Sequence, residues 1–134
     1  MDARIHGLDL FSGIGGISLA LQPWVRTVAY VEIEAYPRAV LHARMREGVI
    51  DFAPVFGDVR TFDGRPWVGS VDIVSGGFPC QDISLAGSGA GLDGERSGLF
   101  FEIVRLASEI RPAFVFLENV PAITGRGGWD VVGA

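Results

Sequence analysis

The chain has 134 residues, 49% of them hydrophobic and 20% charged, with a formal net charge of −5. That length holds one domain at most, and that balance suits a packed core rather than a disordered segment. The acid excess excludes a basic nucleic-acid footprint on this chain alone, the lone Cys80 excludes an internal disulfide, and His6 and His42 stand apart from it, so no zinc-ligand cluster is offered.

No basic leader feeds a long apolar run at the N-terminus, and no stretch reaches the roughly 18 apolar residues of a membrane span, so a soluble, cytoplasmic protein is expected. Strand and helix candidates alternate, which favours a mostly parallel α/β sheet. The first strand is expected at Ile5–Leu10. It runs into Asp9-Leu-Phe-Ser-Gly-Ile-Gly-Gly16, whose glycines permit a sharp turn and bring helix N-terminal amides against a ligand. A short helix at Gly16–Leu21 follows. The dinucleotide pattern G-x-G-x-x-G would need glycine at 18, where the chain has Ser18, so a dinucleotide-linked oxidoreductase is disfavoured.

The second strand is expected at Thr27–Val31 and ends at Glu32, 19 residues after Gly13, where a carboxylate suits a ribose diol. A helix over Ala35–Glu47 tolerates Pro37 in its first turn. The third strand, Val55–Gly57, ends at Asp58, an acceptor for the amino group of an adenine lying along the sheet edge. The fourth, Val71–Ser75, leads through Gly76-Gly77-Phe78 into Pro79-Cys80-Gln81, which sets a lone thiol, a candidate nucleophile, at a strand end. The loop Ser84–Ser97, with Gly87, Gly89, Gly91 and Gly94, reads as a lid. Next comes a helix with Leu99, Ile103, Leu106 and Ile110 on one stripe, Arg105 paired with Glu109 on its outer face, and Pro112 stopping it. A fifth strand, Ala113–Leu117, ends at Glu118-Asn119-Val120. Parallel strands collect their chemistry at their carboxyl ends, so Cys80 and Glu118 are expected over one crevice.

In this order the segments Asp9–Gly16, Glu32, Gly57-Asp58-Val59, Gly77-Phe-Pro-Cys-Gln81, Arg96–Ile103 and Phe116-Leu-Glu-Asn-Val120 resemble the cytosine carbon-5 DNA methyltransferases, over residues 5 to about 123. The resemblance implies a Rossmann-like fold that uses S-adenosylmethionine. It would set Phe11 against the adenine, the turn Gly13-Ile14-Gly15-Gly16 beside the methionine end, Glu32 on the ribose, and Asp58, followed by Val59, on the adenine amino group. Pro79 and Leu99 would line the same pocket. Ile33 stands where the family often has a larger apolar or aromatic residue, and Ile83 where it commonly has an aromatic.

The chemistry explains the residue types. Carbon-5 of cytosine is a poor nucleophile until a thiolate adds at carbon-6, the role of Cys80. An acid at ring nitrogen 3, the role of Glu118, then supports the charge that develops. Asn119 would fix the thiol-bearing segment. The target base must leave the duplex stack to be reached, which implies DNA with a flipped cytosine as partner.

The family's pattern continues past residue 134. Its arginine-bearing base contact, its target-recognition region and the segment that completes the cofactor pocket are not among these residues. Residues 1–134 are therefore expected to form a partial catalytic and cofactor-binding domain without a target-recognition domain, its sheet incomplete on the C-terminal side. It would have little activity alone and be a candidate for completion by a second chain. A tRNA cytosine-5 methyltransferase and a non-catalytic S-adenosylmethionine-binding fragment remain the alternatives.

Overall fold

The computed structural model describes residues 2–77 and 98–118. Its elements in chain order are β1 (Ile5–Leu10), α1 (Gly16–Leu21), β2 (Val25–Val31), α2 (Ala35–Arg46), β3 (Val55–Phe56), a 3-10 turn (Arg65–Trp67), β4 (Ile73–Gly76), α3 (Gly98–Ile110) and β5 (Phe114–Leu117). The strands form one parallel sheet in the order β3-β2-β1-β4-β5. From β1 the chain winds outward to β2 and β3, then returns to place β4 on the other side of β1. The strand order therefore reverses at β1/β4, and in such sheets ligands bind outside the carboxyl ends at that reversal.

Apolar runs make the central strands because both faces are covered. On one face Leu8, Leu10, Ala29, Val31 and Val74 pack with Phe100, Ile103, Leu106 and Ile110 of α3. On the other, Tyr30 packs with Leu41 and Met45 of α2 and with Ile50 and Ala53. At the amino end of the sheet Arg4 bonds to the Asp2 and Asp51 carboxylates and to the carbonyls of Gln22 and Val25, which ties the start of β1 to β2. Among the described residues no helix is long and apolar enough to cross a membrane.

Several boundaries differ from the sequence expectation. β2 begins at Val25, which pairs with Ile5, two residues before the expected Thr27. β4 begins at Ile73 rather than Val71, because the Asp72 carboxylate accepts the His6 amide at 2.8 Å where a ladder carbonyl would otherwise do so. β3 stops at Phe56, leaving Gly57 in the turn. On α3, Phe100 rather than Leu99 completes the buried stripe. Arg105 and Glu109 do pair, at 2.9 and 3.1 Å, but not as a solvated outer face: Arg105 also donates to the Val59 carbonyl at 2.9 Å, and Glu109 accepts the Gly64 amide at 2.8 Å.

Candidate functional site

The five strands end side by side, and the residues that follow them are Phe11, Glu32, Gly57-Asp58, Gly77 and Glu118. A cleft of about 660 Å³ opens there, lined by Phe11, Glu32, Ile33, Asp58, Val59 and Leu99 among others. That volume lies within the range of small-molecule and cofactor sites.

The turn after β1 is shaped by unusual backbone. Phe11 has φ of 51°, a left-handed conformation that costs a bulky residue roughly 1 kcal/mol or more and is held only where its surroundings impose it. Gly15 has φ of 92°, and a Cβ there would sit 3.1 Å from Leu41 Cδ2 and 3.3 Å from Ile50 Cδ1, so only glycine lets α1 begin this close to α2. Ser12 anchors the turn, its amide donating to the Val31 carbonyl at 3.1 Å and its hydroxyl to the Asp9 carbonyl at 2.7 Å.

Glu32 is buried, and each of its carboxylate oxygens accepts a backbone amide at 2.8 Å: Oε1 from Gly13 and Oε2 from Glu34. The turn and the strand end thus hold this carboxylate from both sides, and each oxygen keeps acceptor capacity for a ligand. Asp58 is more open. Its Oδ1 accepts the Arg60 amide at 2.9 Å and Nε at 3.1 Å, and its Oδ2 accepts Nη2 at 3.1 Å. These bonds hold the Asp58 carboxyl below the usual carboxylate range.

Glu118 leaves β5 with its amide on the Gly76 carbonyl at 3.0 Å. Its Oε2 lies 2.7 Å from where a Cβ on residue 77 would stand, so the carboxylate reaches over the end of β4 into space that a side chain at 77 would make it leave. Gly77 is three residues ahead of Cys80 in the chain.

Phe11, Glu32, Ile33, Asp58, Val59 and Leu99 therefore share one cleft. Gly13, Ile14, Gly15 and Gly16 are not among its lining residues; Gly13 meets it through its bond to Glu32. Pro79, Cys80, Asn119, Ile83 and the 84–97 loop lie outside the described residues. Sequence reasoning missed Glu34, Arg60 and Glu102 in the lining. Their spacing was available, because Glu34 and Arg60 each stand two residues after an expected carboxylate and Glu102 one helical turn after Leu99. Asp9, in the quoted motif but given no role, is also buried beneath this turn.

Comparison with known proteins agrees with the geometry. The C-5 cytosine-specific DNA methylase family matches residues 5–127. The chain is 38% identical over 125 residues to the type II methyltransferase M.CviJI of Paramecium bursaria Chlorella virus IL3A, covering 93% of this chain and 33% of that protein. It is 39% identical over 114 residues to M.Eco47II of Escherichia coli, covering 84% and 26%. The chain thus spans about a third or less of these relatives' length. In fold it resembles the Entamoeba histolytica methyltransferase EhMeth, with TM-score 0.73, 13% identity and coverage of 98% of this chain and 43% of that one. It also resembles a Spodoptera frugiperda DNMT2 mutant, with TM-score 0.67, 19% identity and coverage of 91% and 37%. The family match over residues 5–127 and the 38% and 39% identities over most of the chain place it in the C-5 cytosine-specific DNA methylase family.

Proposed function

We propose that the cleft binds S-adenosylmethionine, and that Cys80 and Glu118 act on carbon-5 methylation of a cytosine flipped out of duplex DNA. The observation that carries this reading is Glu32, pinned by two amides at 2.8 Å, with Asp58 at the neighbouring strand end. A ribose diol on Glu32 and an adenine amino group on Asp58 would span the cleft, with Phe11, Ile33, Val59 and Leu99 as apolar walls and Pro79 extending them. The turn Gly13 to Gly16 flanks the methionine end. The charges among the described lining residues support the choice of ligand: Glu32, Glu34, Asp58 and Glu102 stand with one guanidinium, Arg60. Such a cleft suits a cationic ligand and repels a dinucleotide pyrophosphate.

When bound, S-adenosylmethionine supplies a methyl group on a positively charged sulfur. The chain's own groups prepare the acceptor. The Cys80 thiolate adds to carbon-6 of the cytosine, and the displaced electron pair moves toward carbon-5 and ring nitrogen 3. Glu118, held over Gly77, places a carboxyl where it can supply a proton to nitrogen 3 as that charge grows. Asn119 holds the thiol-bearing segment. Once carbon-5 is substituted, its proton leaves and the electron pair expels the thiolate, restoring the ring.

Base contact and target recognition come from segments like those the longer relatives carry outside the matched third, on this polypeptide or on a second one. β5 supports this: among the described residues it pairs with β4 alone, while Phe114, Val115 and Phe116 are 60%, 47% and 45% exposed. The test is covalent trapping on duplex DNA containing 5-fluorocytosine, whose carbon-5 fluorine cannot leave as a proton. An adduct at Cys80 is expected in the presence of a partner chain carrying the remaining family motifs, with little or none from the 134-residue chain alone. Cys80→Ala should abolish it. An adduct that survives Cys80→Ala would refute the mechanism, and turnover by the highly purified chain alone would refute the need for a partner.

A further inference from the structure

We infer that Arg60 is a positioning residue: by fixing the Asp58 carboxylate it makes the cleft prefer a purine bearing an exocyclic amino group over one bearing a carbonyl. This rests on the reading of the cleft as a nucleoside site and adds to it a residue that acts through Asp58.

Arg60 grips Asp58 three times. Its Nε and Nη2 bond to the two carboxylate oxygens at 3.1 Å each, a two-point fork, and its own amide bonds to Oδ1 at 2.9 Å. Oδ1 thereby accepts two bonds, whereas Oδ2 accepts one from this fork and keeps a site for a ligand. The backbone beneath is also held. The Thr61 amide and hydroxyl both donate to the Asp58 carbonyl, at 3.2 and 3.1 Å, and the Val59 carbonyl accepts Arg105 from α3 at 2.9 Å. The carboxylate therefore cannot turn without breaking several bonds.

The consequence concerns donor and acceptor identity. A carboxylate kept ionised offers lone pairs and no proton, so it accepts from an amino group and repels a carbonyl oxygen. A protonated carboxyl could donate to that carbonyl and lose the distinction. Near neutral pH the Asp58 carboxyl is ionised with or without Arg60, so what Arg60 adds is direction: the fork fixes where the remaining lone pair points. Lysine at 60 would keep the charge and lose the fork.

The test compares S-adenosylhomocysteine with its 6-oxo counterpart, S-inosylhomocysteine, as ligands of the 134-residue chain, followed by amide shifts in NMR titrations. Wild type should prefer the adenine compound by about tenfold or more, the worth of a hydrogen bond to a charged group. In Arg60→Gln that preference should fall to about twofold, with Arg60→Lys intermediate, consistent with loss of one oriented charged bond. Asp58→Asn should remove it, and adding Arg60→Gln to Asp58→Asn should change it no further. Thermal melts by circular dichroism check that each variant folds. A preference undiminished in Arg60→Gln, or a loss equal for both ligands, would overturn the assignment, the latter because Arg60 would then be touching the ligand directly. Equal binding of both compounds by wild type would leave the cleft reading intact and sink the role of Arg60. Binding of neither would remove the cleft reading and this inference together.

Discussion

Asp9 points under α1 with 1% exposure; Ser18 Oγ donates to its Oδ2 at 2.7 Å, and among the described residues Oδ1 has no hydrogen-bond partner. The Ser18 hydroxyl also meets Thr27 Oγ1 at 2.9 Å, so β1, α1 and β2 share one small buried polar network. Burial pushes the Asp9 carboxyl up to about 7; the Ser18 bond opposes this and the nearby Glu32 charge adds to it. A folded-state value above that of the unfolded chain means the proton is held more tightly when folded. The resulting stability is complete below the unfolded value of 3.8 and is lost as pH rises through about 7. Urea unfolding at pH 5 and pH 8 should therefore differ by on the order of a few kcal/mol from this group, and Asp9→Asn, neutral at both, should flatten the difference. A wild-type profile matched by Asp9→Asn would show that Asp9 does not titrate in this range. Asp9 was readable as part of a motif, but its burial was not. The side chains over it come from α1 and β2, and no spacing around residue 9 announces them.

At the scale of elements, α3 both walls the cleft and holds the segment that presents Asp58. Arg105 bonds to Glu102 at 3.0 Å and to Glu109 at 2.9 and 3.1 Å on its own helix, and to the Val59 carbonyl across the gap; Glu109 in turn holds the Gly64 amide. Replacing Arg105 with leucine should cost about 1 kcal/mol or more, since it leaves the partly buried Val59 carbonyl without this donor. A double-mutant cycle with Glu109→Gln, read by urea unfolding, should give a coupling of about 0.5 kcal/mol or more. A coupling of zero would return the pair to an ordinary solvated helix face.

The helix itself was legible, because Ile103, Leu106 and Ile110 recur with the period of a helix face. Its exact phase was not: Leu99 and Phe100 are adjacent apolar residues, and only packing decides that Phe100 enters the core while Leu99 faces the cleft. The polar face was misread for a related reason. The segment that covers it lies 45 to 46 residues earlier in sequence, and local periodicity carries no trace of it. The strand ends, by contrast, were readable almost to the residue, because the runs of β2, β3, β4 and β5 stop at a glycine or a carboxylate and β1 reaches one within three residues.

Across the whole molecule, the sheet places Glu32 and Asp58 at the ends of β2 and β3, and Glu118 on the β4-β5 side with Gly77 beside it. Among the described residues the outer edge of β5 is apolar and unpaired, and an unpaired apolar edge is a template for another strand. The chain alone should therefore self-associate as concentration rises in analytical ultracentrifugation, and Val115→Lys, which sets a charge on that strand, should shift it toward monomer. Unchanged association in Val115→Lys would place the contact elsewhere.

The central claim is that the cleft at the carboxyl ends of these strands is the methyl donor's site, and an NMR titration of the isotopically labelled chain with S-adenosylmethionine tests it most directly. Amide shifts should concentrate at residues 11–13, 32–34, 57–60 and 98–102, fade in Glu32→Ala, and be absent with NAD. Shifts confined to the opposite end of the sheet, around Arg4 and Val25, or an equal response to NAD, would contradict it.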